Sequence, residues 1–373
     1  MPPQNSVVTI NALASGIVSL NDTTQEWSVV RQDRYMPLHM RRALAMLSAN
    51  CLEDGIADLG SCIHDVLAMA TRPVADWGIP SLATSTFEYR DTILVDGDLG
   101  VPTDDCIALA NVGGEVETLQ NMQHNRLRAA VGALGAKRRA DAYTAIREFV
   151  VRNPVVSVAD LKAFVSADGR AAIANDIERF YETVPIAAIW DDGEIKICDG
   201  CGGLLWPDRD KISYPDGRCH LRQCAEENPT PALRESLAEP STFRTVERSV
   251  NAYWVGPGLD EVRIFDELTA AGVPVVLYPR EDEADVGTRD MKIGIDAKSY
   301  ASPIVLGRKL SDSIGGLRAF SEKYIVVPDA KKKKNPDYVK QLKNAYTGDA
   351  KGISFMTISE AIQAVITKHG VSS

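Results

Sequence analysis

VPVVLYPREDEADVGTRDMKIGIDAKSY, running from Val273 to Tyr300, holds an acid at Asp285 and then the triplet Asp296-Ala-Lys298 at the end of an apolar run. The alternation of Met291, Ile293 and Ile295 predicts a half-buried strand, in which residues two apart share a face. Asp296 and Lys298 therefore project together. Asp285 lies about ten residues upstream, across a turn marked by Gly287, Thr288 and Arg289, which puts it on the neighbouring strand of a hairpin. Two carboxylates and one ammonium then converge. That set suits phosphodiester hydrolysis: the carboxylates can hold Mg²⁺ or Mn²⁺ against a phosphate oxygen while the lysine orients the attacking water. An isolated Asp-x-Lys is more often a solvated pair on a strand edge, so its weight comes from the elements around it.

Upstream, GLDEVRIFDELTAA (Gly258 to Ala271) spaces Leu259, Val262, Ile264, Phe265 and Leu268 as on a helix, and Gly272 stops it. A strand follows at once. Downstream the pattern predicts a helical segment from Ser302 to Phe320, a strand from Tyr324 to Val327, a helix from Asp337 to Tyr346, a strand from Ile353 to Met356 and a final helix from Ile358 to Lys368. Thr357 and Glu360 have the spacing of a capping box at the start of that helix.

This succession resembles the core of the PD-(D/E)xK superfamily of restriction-endonuclease-like nucleases. The resemblance implies a metal-dependent nuclease in which a glutamate of the first helix joins the metal site; Glu261 fits that role best, with Glu267 as the alternative. It departs from the pattern in having Glu283-Ala-Asp285 and no Pro-Asp pair before the turn. Glu283 therefore competes with Asp285, which is preferred because it lies nearer the turn.

Cys198-Asp-Gly-Cys201 and Cys219-His220-Leu-Arg-Gln-Cys224 form two chelating pairs separated by 17 residues. This is the spacing of a zinc ribbon, in which four soft ligands close a tetrahedron around a structural Zn²⁺ with no open position. Cys198, Cys201 and Cys224 are three ligands; the fourth is Cys219 or His220, with Cys219 favoured because thiolates dominate such ribbons. Cys51, Cys62 and Cys106 lack chelating spacing and read as buried free thiols, and His39, His64 and His124 read as surface or satisfied core histidines. Gly113-Gly114 and Gly315-Gly316 are isolated turn signals, and the lack of a Gly-rich phosphate loop argues against a nucleotide-driven motor.

The expected class is α+β multidomain. Residues 1–190 are read as a mostly helical region, 191–228 as the zinc ribbon, 229–244 as a linker with three prolines, and 245–373 as the nuclease domain. Residues 1 to about 30 read as polar and partly extended, and one long helix is expected from about Glu115 to Val151. No apolar run reaches about eighteen residues and no basic-then-apolar leader is present, so a cytoplasmic protein with no membrane partner is expected. The net charge of −10 disfavours a nucleic-acid partner at first sight. From Ser241 onward, however, 19 Lys and Arg face 17 Asp and Glu, so the acidity lies elsewhere. Lys331, Lys332, Lys333 and Lys334 are expected on a loop contacting phosphates, with Arg308 and Lys309 as a further basic surface.

A more specific resemblance rests on IREFVVRNPVV (from Ile146), YETVP (Tyr181 to Pro185), the CxxC followed by Gly202-Gly203-Leu204-Leu205, and IDAKSYASP (Ile295 to Pro303). Over roughly residues 140–340 the chain is similar to the restriction-endonuclease-like subunit associated with bacterial PIWI-RE systems. That resemblance implies a DNA endonuclease in prokaryotic defence, beside a PIWI-type protein and a DinG-like helicase, and leaves a homodimer open. The competing function is a non-catalytic DNA-binding or assembly subunit. Three polar groups converging at a strand end favour the nuclease, since a scaffold has no need of them.

Overall fold

The structure is a computed structural model and describes residues 4–23, 36–110 and 119–369. The chain divides into two compact units, each drawn from separate stretches: Met1–Leu119 with Ser299–Ser313 and Asn335–Asp349, and Gln120–Lys298 with Ile314–Lys334 and Ala350–Ser373.

The first unit is helical. Gln4–Thr23, expected as polar and partly extended as far as it is described, is a helix that buries Ile10, Leu13, Ala14, Ile17 and Leu20 against Leu38–Glu53 and Asp104–Ala110. Its apolar residues recur at helical spacing but carry no flanking charges, which hides the amphipathic pattern. Gly113 and Gly114 lie outside the described residues. Two helices of the expected nuclease order, Pro303–Asp312 and Tyr338–Ala345, belong to this unit. Asp105 fixes the entry to the first of them, accepting from the backbone N–H of Ala301 at 2.8 Å and of Ser302 at 3.1 Å.

The second unit carries twelve strands: β1 (Val155–Ser157), β2 (Tyr181–Thr183), β3 (Ile195–Cys198), β4 (Leu204–Trp206), β5 (Arg218–Cys219), β6 (Leu233–Leu237), β7 (Phe243–Val246), β8 (Val275–Leu277), β9 (Val286–Thr288), β10 (Ile293–Ala297), β11 (Glu322–Val327) and β12 (Ile353–Thr357). They form three sheets ordered β1-β7-β2, β5-β4-β3-β6 and β12-β11-β10-β9-β8. The expected linker is not free chain: β6 pairs with β3, and the prolines Pro229, Pro231 and Pro240 flank that strand. The long helix expected up to Val151 is two, Leu119–Gly132 and Ala136–Arg152, broken where Gly135 takes φ 77°.

The five-stranded sheet is mixed. β8, β9 and β10 form an antiparallel meander, while β10, β11 and β12 run parallel, as the intervening crossover segments require. Ile293 and Ile295 of β10 are buried, and on its other face Gly294 leaves room for the Phe320 ring, which an added Cβ would meet at 2.6 Å. Helix Gly256–Ala270 packs on β8, β10 and helix Ala136–Arg152. Its N-terminus lies earlier than expected, because a π-helical turn, Asn251–Val255, carries the chain into it and Pro257 needs no N–H partner in the first turn. Its end is as expected: Gly272, at φ 79°, donates to Thr269 O while Val273 donates to Leu268 O, a Schellman closure. The capping box of Thr357 and Glu360 is formed on helix Ile358–Lys368. Among the described residues no helix is long and apolar enough to cross a membrane.

Candidate active site and metal centre

The hairpin brings Asp285 beside β10, but Gly287 and Thr288, expected in its turn, are strand residues of β9, and Met291, expected in the strand, lies in the turn with φ 57°. Asp285 immediately precedes β9; its N–H donates to Ile295 O, and its carboxylate accepts from the Ala297 N–H at 2.6 Å. At the end of β10, Lys298 Nζ lies 2.7 Å from Asp296 Oδ1 and 4.0 Å from Asp285 Oδ2. Glu261, 2% exposed, reaches the same cluster from the helix. The competing acids face elsewhere: Glu267, the alternative to Glu261, pairs with Arg263, and Glu283, the competitor of Asp285, pairs with Arg280, both near the surface.

The structure adds residues that the motif does not contain. Arg147, on helix Ala136–Arg152 and 3% exposed, donates through Nη2 to both Glu261 oxygens at 3.0 Å, while its Nη1 pairs with Asp282. Its guanidinium lies 4.0 Å from the centre of the Tyr278 ring. Asp282 also accepts from the Tyr143 hydroxyl at 3.3 Å, and His124 Nδ1 lies 3.1 Å from that hydroxyl and 3.6 Å from Asp282. One sequence signal for Arg147 exists: it shares an apolar helical stripe with Tyr143, Ile146, Val150 and Val151, all buried, and a charge there needs a buried partner.

Between β8 and Asp285 the backbone is unusual. Tyr278, Arg280, Glu281 and Asp282 have φ of 49°, 50°, 59° and 83°, the left-handed region, which costs a non-glycine residue about 1–2 kcal/mol each. Such a segment persists only when its surroundings hold it. Here Arg139 grips the Glu281 carboxylate at 2.6 Å, Arg128 donates to Glu281 O at 3.0 Å, and Arg147 and Tyr143 grip Asp282.

Electrostatics follow from this crowding. Burial, and then Glu261 facing it, pushes the Asp285 carboxyl well above the usual range. Burial raises Glu261 too, against the pull of Arg147. Burial works against ionisation of Asp282, yet Arg147 and then His124 hold it below its ordinary value. Lys298 is likewise desolvated, but Asp296 and Asp285 keep its ammonium charged. Burial and the nearby Arg147 push His124 down to about 4, so it is neutral at pH 7. Four carboxylates, Glu261, Asp282, Asp285 and Asp296, thus face two cations, Arg147 and Lys298. With all four ionised, as a bound cation would hold them, the site carries two more negative charges than positive, which matches a divalent cation; without one, burial pushes Asp285 and Glu261 towards their neutral forms. Among the described residues no three of these oxygens lie within 4.8 Å of one another, so the acids do not form a closed cage. Hard oxygen donors of this kind suit Mg²⁺, which takes one or two carboxylates and completes its shell with water and substrate.

The four thiols differ in this respect. Cys198, Cys201, Cys219 and Cys224 are buried, and their sulfurs lie within 4.8 Å of one another, with Cys198–Cys224 at 3.7 Å and Cys201–Cys219 at 3.6 Å. A tetrahedron of Zn–S bonds of about 2.3 Å has edges of about 3.8 Å, so this cluster could hold zinc. His220 stacks on Trp206 with ring centres 4.6 Å apart, which leaves Cys219 as the fourth member.

The basic residues need correction. Lys331 to Lys334 form part of a helix, Asp329–Lys334, not a loop, because nothing in Asp-Ala-Lys-Lys-Lys-Lys breaks a helix and Asp329 favours its N-terminus. Lys331 is buried against Glu226 at 2.6 Å and Lys332 pairs with Glu360 at 2.6 Å, while Lys333 and Lys334 are exposed. Arg308 is engaged by Glu88 and Tyr89, and Lys309 by the Tyr300 hydroxyl at 2.5 Å.

Family models match two segments: residues 258–373 the one described as REase associating with pPIWI_RE, and residues 9–157 the one described as pPIWI_RE three-gene island domain Y. No curated protein and no solved structure matches the chain. The first segment contains Glu261, Asp282, Asp285, Asp296 and Lys298, and the second contains His124, Tyr143 and Arg147. The two matches place this chain in the pPIWI_RE gene island, with one segment similar to domain Y and the other to the REase associated with pPIWI_RE.

Proposed function

We propose that the protein is a metal-dependent endonuclease of the PD-(D/E)xK type, acting on DNA as a component of a prokaryotic defence system. The observation that carries this reading is the crowding of Glu261, Asp282, Asp285 and Asp296 around Arg147 and Lys298 in a largely buried site. A site with no catalytic use would not keep such charge out of water, where removing it costs several kcal/mol per ion by rough reckoning. Asp285 and Asp296 hold the metal, Glu261 supports it directly or through water, and Lys298 positions the nucleophile. A bound Mg²⁺ or Mn²⁺ supplies Lewis-acid stabilisation of charge on the phosphate. Lys298, held charged by its two acids, offers donors to the attacking water or to a phosphate oxygen. Lys333 and Lys334, exposed on their helix, supply phosphate contacts without sequence preference.

The four-cysteine module holds a structural Zn²⁺ and its place is to fix the fold of its own sheet. The island context supports a PIWI-type protein as partner, while a DinG-like helicase rests on the family resemblance alone. The test is incubation of the purified full chain with supercoiled plasmid, single-stranded DNA and RNA, with Mg²⁺, Mn²⁺ or chelator. Metal-dependent cleavage of DNA that is lost in Asp296→Ala and Lys298→Ala is expected. Parental rates in both variants would sink the assignment.

A further inference from the structure

We propose that Arg147 is a positioning residue of the metal site, so that the segment matching domain Y completes the catalytic centre of the REase segment within the same chain. The inference rests on the nuclease reading and goes beyond it, because neither family description gives domain Y a part in the site. Three observations converge on it. Arg147 joins the two halves of the acidic cluster: Nη2 holds both Glu261 oxygens at 3.0 Å and Nη1 holds Asp282. The segment with left-handed Tyr278, Arg280, Glu281 and Asp282 is gripped at Glu281 and Asp282 by Arg128, Arg139, Tyr143 and Arg147, all of them outside residues 258–373. That run ends three residues before Asp285, and Tyr278 N–H donates to Asp285 O at 2.8 Å, closing the loop that presents the acid.

The physical consequence is direct. An L-residue leaves the left-handed region when nothing holds it there, and relaxation of Asp282 would carry Asp285 away from the Ala297 N–H that fixes its carboxylate at 2.6 Å. Glu261, released from the fork of Arg147, would lose its orientation as well. Lysine at position 147 keeps the charge but has no planar fork to span two carboxylates, so Arg147→Lys separates geometry from electrostatics.

The experiment measures cleavage of supercoiled plasmid by the full chain as a function of Mg²⁺, giving an activation constant for the metal and a rate at saturation. Arg147→Lys is expected to raise the Mg²⁺ activation constant about 10- to 100-fold, the range seen when partners of metal ligands are removed, while the rate at saturating Mg²⁺ stays within about threefold. Arg147→Met/Asp282→Asn removes opposite charges together and keeps the test open should Arg147→Lys not fold; it should raise the constant at least as far. Amide exchange over residues 278–286 should quicken in both variants. Folded variants with the parental activation constant would reduce domain Y to a scaffold and overturn the proposal. Tighter Mg²⁺ activation in the double variant would also overturn it, making Arg147 an electrostatic brake. If the parent shows no metal-dependent cleavage, the nuclease reading falls first and the proposal with it, an outcome separate from unchanged behaviour of the variants.

Discussion

The four thiols and the four carboxylates are both candidate metal centres of the second unit, and they are built in opposite ways. Cys198, Cys201, Cys219 and Cys224 come from one short stretch, sit within 4.8 Å of one another and leave no position for a further ligand. The carboxylates come from a helix, a left-handed turn, the residue before β9 and strand β10, and they are bridged by Arg147 and Lys298 rather than gathered on one point. A closed soft site stores folding energy. An open hard site crowds acids that a metal holds ionised while leaving room for water and a phosphate.

If that contrast is right, substitutions at the two centres should fail in different ways. The largest effect is expected at the thiols: Cys201→Ser should lose the zinc, whose binding contributes on the order of 10 kcal/mol to so small a module, and should loosen residues 191–228. Elemental analysis with amide exchange reads this, and zinc-free parental protein would remove the centre altogether. At the carboxylates the loss should be chemical. Asp296→Ala is expected to lower cleavage about 10³-fold, the rate equivalent of several kcal/mol of metal-derived stabilisation, with the melting temperature of the metal-free protein little changed because relief of carboxylate repulsion offsets the lost pair with Lys298.

Legibility in the sequence follows the same contrast. Ligands spaced by two or four residues define a centre by covalent geometry alone, so the thiol set could be read before any fold was known. Asp285, Asp296 and Lys298 were legible because period-two alternation and a turn bring them together. Arg147 was not, since it meets Glu261 across 114 residues and by helix packing that no local pattern encodes. The left-handed path through Tyr278, Arg280, Glu281 and Asp282 contradicts every local preference of those residues and exists only because the packed helices impose it. Lys331 to Lys334 misled for a simpler reason: composition shows charge but not which ammonium groups already have partners.

A smaller effect should appear in the pH dependence of stability. His124 has a folded pKa of about 4 against about 6.5 unfolded, so its contribution is fully present above pH 6.5 and is lost as pH falls towards 4. The loss amounts to about 3 kcal/mol. Denaturant titrations of the parent and of His124→Gln should differ in slope over that window, and identical profiles would place His124 in water. The smallest effect is expected at the lysines. Lys333→Ala/Lys334→Ala should flatten the salt dependence of DNA binding by about 1.8 in the log–log slope and leave stability unchanged, whereas Lys331→Ala should lower stability by exposing the unpaired Glu226. An unchanged slope would move the phosphate contacts to another surface.

The central claim is that the buried acids Glu261, Asp282, Asp285 and Asp296 exist to take a divalent cation, and Mn²⁺ binding to the zinc-loaded full chain, without nucleic acid, tests it most directly. Calorimetric titration near pH 7 should show Mn²⁺ bound by the parent, with protons released because the Asp285 carboxyl is pushed up in the metal-free state. The double variant Asp285→Asn/Asp296→Asn should bind none while keeping its zinc. Mn²⁺ binding that survives the double substitution, or no binding by the parent at millimolar Mn²⁺, would contradict the account.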